Sequence, residues 1–206
     1  MSSSPRSAPS AESQPALLFD LDGTLVDSVY QHVVAWREAL ADVGINLSVW
    51  KIHRRIGMSG GLFVNALVRE LETELDPETL SMLPALHADA YVKQFDTVQP
   101  LPGAIELLSA LTEHGVPWAI ATSGAERYAR LALELLELPP DTPLVTRDQV
   151  RFAKPDPDLF LTAAARIGVN IADSIVVGDS VWDLLAARRA HTLGIGLLSG
   201  GTDARS

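Results

Sequence analysis

Four short segments carry side chains that could do chemistry. The first is Asp20-Leu21-Asp22-Gly23-Thr24, where the apolar run 16–20 stops. Side chains two apart on an extended chain share a face, so Asp20 and Asp22 are expected to look into one site. Two carboxylates held that close repel unless a cation stands between them. A hard, oxygen-seeking Mg²⁺ fits, because it takes few protein ligands and leaves positions for water and phosphate. The second segment, Ala121-Thr122-Ser123-Gly124, puts hydroxyls and backbone amides at a strand end, an arrangement that cradles anions. In the third, Lys154-Pro155-Asp156-Pro157-Asp158, two prolines fix the backbone around a lysine that can balance both a carboxylate cluster and a phosphate. The fourth is Gly178-Asp179-Ser180-Val181-Trp182-Asp183, in which Asp183 follows Asp179 by one helical turn and can project to the same place. Each segment also has a plainer reading, as a solvated turn, a solvent lysine or a helix cap.

The elements that must position these groups are legible in the hydrophobic pattern. Strands are expected at 16–20, 116–122, 144–146, 174–179 and 192–198. Helices are expected at about 30–41, 48–56, 60–74, 77–94, 103–114, 125–137, 157–167 and 181–190. Asp76-Pro77 supplies an N-cap and a proline at the first helical position for the segment from 77. Strands separated by helices imply βαβ crossovers and a parallel sheet, whose strand ends lie on one edge. All four segments then meet at that edge. The expected fold class is α/β, a Rossmann-like parallel sheet core (15–27 and 99–206) with an inserted α-helical cap at 28–98. Residues 1–14, rich in Ser, Pro and Ala, read as a disordered tail.

Composition limits the function. The chain has 206 residues with a formal net charge of −10, which argues against nucleic acid or anionic membrane as partner. It has no cysteine, so thiol catalysis, disulfides and Cys-ligated metals are excluded. No apolar run approaches the ~20 residues that span a bilayer. The first residues lack the apolar segment of a secretory signal. A soluble cytoplasmic protein, monomer or homodimer, is the expectation.

FDLDGTLVDS (19–28), IATSG (120–124), KPDPDLF (154–160) and VVGDSVWD (176–183) occur in the order of the four motifs of the haloacid dehalogenase superfamily, which the sequence resembles over about 16–198. The resemblance is to subfamily I with a helical cap, on the branch of phosphoglycolate phosphatase and β-phosphoglucomutase. It implies a Mg²⁺-dependent phosphatase acting on a small phosphorylated metabolite through an aspartyl phosphate. Asp20 would be the nucleophile, Asp22 the general acid and then base. Thr122, with Ser123 and Gly124, would bind the phosphoryl group, and Lys154 would steady it and Asp20. Asp20, Asp179 and the backbone carbonyl of Asp22 would hold Mg²⁺, supported by Asp183. An acid at position 22 separates the chain from the metal-free dehalogenases. A sugar-phosphate mutase is the alternative, and a non-catalytic binding module is a more distant one. The resemblance also implies further chain beyond the last strand, whereas this sequence ends at Ser206.

In the cap, His32 and Trp36 share a helix face, and His32 occupies a place where related caps carry a histidine. Gly57-Met58-Ser59-Gly60-Gly61 reads as a loop reaching into the site, with Ser59 as a substrate contact, but without the arginine that follows this turn in the mutases. His53, Arg54 and Arg55 are candidates for the far end of a substrate, Arg55 foremost. Trp36, Trp50 and Met58 are expected in the cap core or at its contact with the sheet. His87, His114 and His191 are assigned to the surface or to helix ends.

Overall fold

The computed structural model describes residues 15–71 and 76–201; the tail expected at 1–14 lies outside them. Strand β1 (Ala16–Phe19) is apolar throughout and nearly fully buried, as a central parallel strand must be. It lies between β4 (Trp118–Ala121) and β6 (Ser174–Gly178) in a five-stranded sheet, completed by β5 (Leu144–Val145) beyond β4 and β7 (Leu193–Gly196) beyond β6. Every pairing in this sheet is parallel, with Phe19 opposite Ile120 on one side and Val177 on the other.

Period-two alternation sends the strand side chains to two separate cores. Phe19, Ile120 and Val177 pack with Leu108 and Leu133 of helices α5 (Ala104–Glu113) and α6 (Glu126–Leu135). Leu18, Ala119 and Val176 pack with Phe160 and Ala186 of α7 (Asp158–Arg166) and α8 (Val181–Arg189). From β1 the chain visits one side of the sheet and later the other. The ends of β1, β4 and β6 therefore meet at a switch of direction, where open α/β sheets hold ligands.

Between the first and second sheet strands lie α1 (Val29–Asp42), α2 (Val49–His53), α3 (Gly60–Leu71) and α4 (Pro77–Gln94). They share a core of their own, with Trp36, Leu40, Ile52, Phe63, Leu67 and Leu83 at its centre. Asp76 caps α4 as the sequence indicates, accepting from Thr79 N at 2.8 Å. The chain leaves for this block and returns from it through two short antiparallel strands that the hydrophobic pattern does not announce, β2 (Val26–Asp27) and β3 (Gln99–Pro100). That pairing supports the division we propose, a core of 15–27 and 99–206 with the helices of 28–98 as a cap.

Two expectations fail in this block. The helix expected over 48–56 is shorter, and the chain continues from His53 in turns. Its short span directs Ile52 inward and leaves Trp50 58% exposed instead of packed in the cap core.

Candidate active site

The turn after β1 is tight: the Leu21 carbonyl accepts from the amides of Thr24, Leu25 and Val26. Gly23 sits in it at φ +84°, and a Cβ there would come within 2.3 Å of an Asp179 carboxylate oxygen. This geometry needs glycine on both counts. It delivers Asp20, buried, to the end of β1 beside Asp179, buried at the end of β6. One carboxylate oxygen from each of Asp20, Asp179 and Asp183 lies within 4.8 Å of the others.

Lys154 enters this set fully buried. Its Nζ pairs with Asp20 Oδ1, and with Asp183 Oδ1 at 2.8 Å. The solvent-lysine reading is thereby excluded. Both oxygens of Asp183 are engaged, since Oδ2 also accepts from Ser180 N at 3.1 Å and Ser180 Oγ at 2.5 Å. Ser180 and Asp183 thus cap α8 while Asp183 also pairs with Lys154, so a helix cap and a place in the carboxylate cluster coexist in this segment. Thr24 Oγ1 donates to Asp179 Oδ1 at 3.1 Å.

One ammonium against three buried carboxylates leaves an excess of negative charge. Burial, with Asp183 nearby, pushes the Asp20 carboxyl well above the ordinary range. The same causes push Asp179 up to about 7. A divalent cation fits this donor set, which is all oxygen, buried and under-neutralised. Gly200 backs Asp179 so closely that a Cβ there would overlap Oδ2, at 1.9 Å.

The pH dependence follows from the sign of the Asp179 shift. The folded value lies above the ordinary 3.8. The folded metal-free protein therefore holds this proton more tightly than the unfolded chain does. Its contribution to stability falls as pH rises from about 4 through 7. A cation that displaces the proton removes that loss. Mg²⁺ is expected to raise Tm by several degrees more at pH 8 than at pH 5 in scanning fluorimetry. Equal shifts at the two values would contradict the assignment of Asp179.

The carboxylate of Asp22, expected with the metal set, points elsewhere. It accepts from Ser28 Oγ at 2.7 Å and His32 Nε2 at 3.1 Å, with Thr122 Oγ1 at 3.4 Å. Its side chain is therefore not a member of the cluster, and only its backbone carbonyl is left for an ion there. Burial alone would raise this carboxyl, but His32 and Ser28 hold it below the ordinary range.

Asp20 and Asp22 open on a cleft of about 240 Å³. Thr122, Ser123 and Gly124 line one side of it. The Gly124 amide, expected to be open to an anion, donates instead to Thr122 Oγ1 at 2.9 Å. Ser123 Oγ, like the Tyr128 hydroxyl, is buried with no hydrogen-bond partner among the described residues, and both residues line the cleft.

The helical block forms the opposite side, with His32, Trp36, Arg55, Met58 and Gly60 in the lining. Ser59 is buried and outside that lining, so the expected substrate contact is not made. His53 turns away to the Gly200 carbonyl at 2.8 Å and stacks on Tyr30, while Arg54 is exposed. His87, assigned to the surface or a helix end, is in the cleft: it stacks on Trp36, and its Nε2 lies 3.1 Å from His32 Nδ1. Tyr128, Arg147 and Asp148 also line the cleft and carry no motif that marks them.

The family described as haloacid dehalogenase-like hydrolase matches residues 15–191. A phosphoglycolate phosphatase of Agrobacterium fabrum is 32% identical over 192 residues, covering 92% of this chain and 82% of its own. Hexitol phosphatase A of Escherichia coli is 33% identical over 178 residues, covering 84% of this chain and 78% of its own. The crystal structure of a hydrolase from Pseudomonas syringae superposes with a TM-score of 0.91 at 49% identity, covering 93% of this chain and 88% of that one. The buried carboxylates at the sheet edge, the lysine among them and these likenesses agree, and the chain belongs to the haloacid dehalogenase-like hydrolases.

Proposed function

We propose that this hydrolase cleaves small organic phosphate monoesters, with Asp20 as nucleophile. The observation that carries this is the contact of the fully buried Lys154 with Asp20 and Asp183 beside Asp179, with Asp20 opening on a cleft that also holds Asp22 and Thr122. The likeness to phosphatases named for phosphoglycolate and hexitol supports it.

Asp20 attacks phosphorus and the ester oxygen leaves, which divides hydrolysis into two displacements at one centre. Lys154 fixes Asp20 Oδ1, leaving the other oxygen to react. Ser123 Oγ and Thr122 are placed to hold equatorial oxygens of the phosphoryl group. Asp22 delivers the proton to the leaving oxygen. Asp22, with His32 Nε2 at 3.1 Å, takes up that proton as the arriving phosphate dianion raises its proton affinity. In the second displacement Asp22 takes the proton back from water. Asp20, Asp179 and the Asp22 carbonyl would hold Mg²⁺, which when bound neutralises charge on the phosphoryl oxygens. The mutase reading loses support, because no arginine follows Ser59 and the nearby Arg55 is tied to Glu70.

Purified protein is expected to release phosphate from p-nitrophenyl phosphate with Mg²⁺, to lose this with EDTA and to regain it on adding excess Mg²⁺. Undiminished turnover in EDTA, or no release from any monoester, would overturn the reading.

A further inference from the structure

The wall of the cleft away from Asp20 is built by the helical block. Trp36, Ile56, Met58 and Pro84 give it an apolar surface, His87 a polar one, and Arg55 a charge. That charge is already matched. Arg55 Nη1 donates to the Lys51 carbonyl at 2.5 Å, and Nη2 pairs with Glu70 of α3. Lys51 Nζ holds the other Glu70 oxygen at 2.5 Å. On the core side Arg147 donates to the Val150 carbonyl at 2.8 Å, and Asp148 stands next to it in the lining. Burial, with His32 nearby, keeps the His87 imidazole well below its ordinary range, so it is uncharged at neutral pH.

On this wall a leaving group that carried a carboxylate would be pressed against apolar side chains and against Arg55, whose charge Glu70 already matches. Desolvating an anion there without a compensating donor is costly. A polyol or sugar has no such charge. Its C–H edges can lie on Trp36 and Met58, and a hydroxyl can meet His87, the pattern of an apolar pocket with few polar groups. The volume, about 240 Å³, is below the ~300–1,000 Å³ usual for drug-sized ligands, and suits a leaving group of a few carbons.

On the reading of the site as a phosphatase, we propose that this wall selects esters whose leaving alcohol is uncharged, a polyol or sugar in place of a hydroxycarboxylate. Glu70 enforces the choice by holding Arg55.

The test uses substrate pairs that differ only in a terminal CH₂OH or carboxylate. Glycerol 3-phosphate is set against 3-phosphoglycerate, and sorbitol 6-phosphate against 6-phosphogluconate, with p-nitrophenyl phosphate as reference. The full chain with Mg²⁺ is expected to favour the neutral member by about tenfold or more in kcat/KM, the cost of one unmatched charge. Glu70→Gln should release Arg55 and raise kcat/KM for the acidic member by about tenfold, and Glu70→Gln/Arg55→Met should cancel that gain. Melting curves check that both variants fold. If p-nitrophenyl phosphate is hydrolysed but neither neutral ester outruns its acidic partner, the inference is wrong. It is also wrong if Glu70→Gln leaves the ratio unmoved. If no ester is hydrolysed at all, the phosphatase reading itself fails.

Discussion

Asp20→Asn is expected to lower kcat toward p-nitrophenyl phosphate by roughly 10⁴–10⁶-fold, the scale seen when a nucleophile is removed from an otherwise intact site. The amide keeps the shape of the side chain, and its oxygen can still accept from Lys154. What is lost is the negative oxygen that attacks phosphorus. The fold should not suffer, because the substitution removes one of three mutually repelling carboxylates. A melting temperature equal to or above that of the parent, together with lost turnover, separates the chemical role from a structural one. Activity within tenfold of the parent would remove Asp20 from the mechanism.

Lys154→Met should cost about 3–5 kcal/mol in urea unfolding without Mg²⁺, because it strips one partner from a buried charge set. Methionine matches the length of the lysine stem and can keep the contact with Phe160, over whose ring Nζ lies at 5.1 Å. Packing is therefore largely retained, and the loss reports the unpaired Asp20 and Asp183. The two substitutions should also couple. With Asp20 already neutralised to Asn, removing Lys154 leaves fewer charges uncompensated and should cost less than in the parent. A loss below about 1 kcal/mol in the parent background would mean that the carboxylates find other neutralisation, and that Lys154 is not what holds them.

What the sequence made legible, and what it hid, follows from the range of the interactions involved. Asp20, Thr122 and Asp179 each sit just after an apolar strand and Lys154 in the loop that follows β5, and parallel topology brings strand ends together whatever the packing details. Their convergence could be read from order alone. Asp22 was harder. Alternation along the strand sends it toward Asp20, but the tight turn at Gly23 and the hydrogen bonds from Ser28 and His32 take its carboxylate out of the metal set. His87 lies in a stretch, Pro84-Ala85-Leu86-His87, with no pattern that marks it. Only the packing of α4 against α1 brings it to His32 and Trp36. Ser59 and Trp50 failed for the opposite reason. Local chemistry suggested roles for them, and the brevity of α2 and the turns after it set their orientation. The Glu70 partner of Arg55 lies 15 residues on, in α3, while Arg55 itself lies in the turns after α2, beyond any local rule.

The pairing of Val26 with Pro100 and of Asp27 with Gln99 has a consequence for how such a molecule can change. The outgoing and returning passages of the chain run side by side, one strand spacing (~4.8 Å) apart. A different insert of any length whose two ends meet at that gap can be spliced in without moving β1 or β4. The seam is two residues wide on each side, and any insert exchanged there would have to supply anew the partners that Ser28 and His32 give to Asp22.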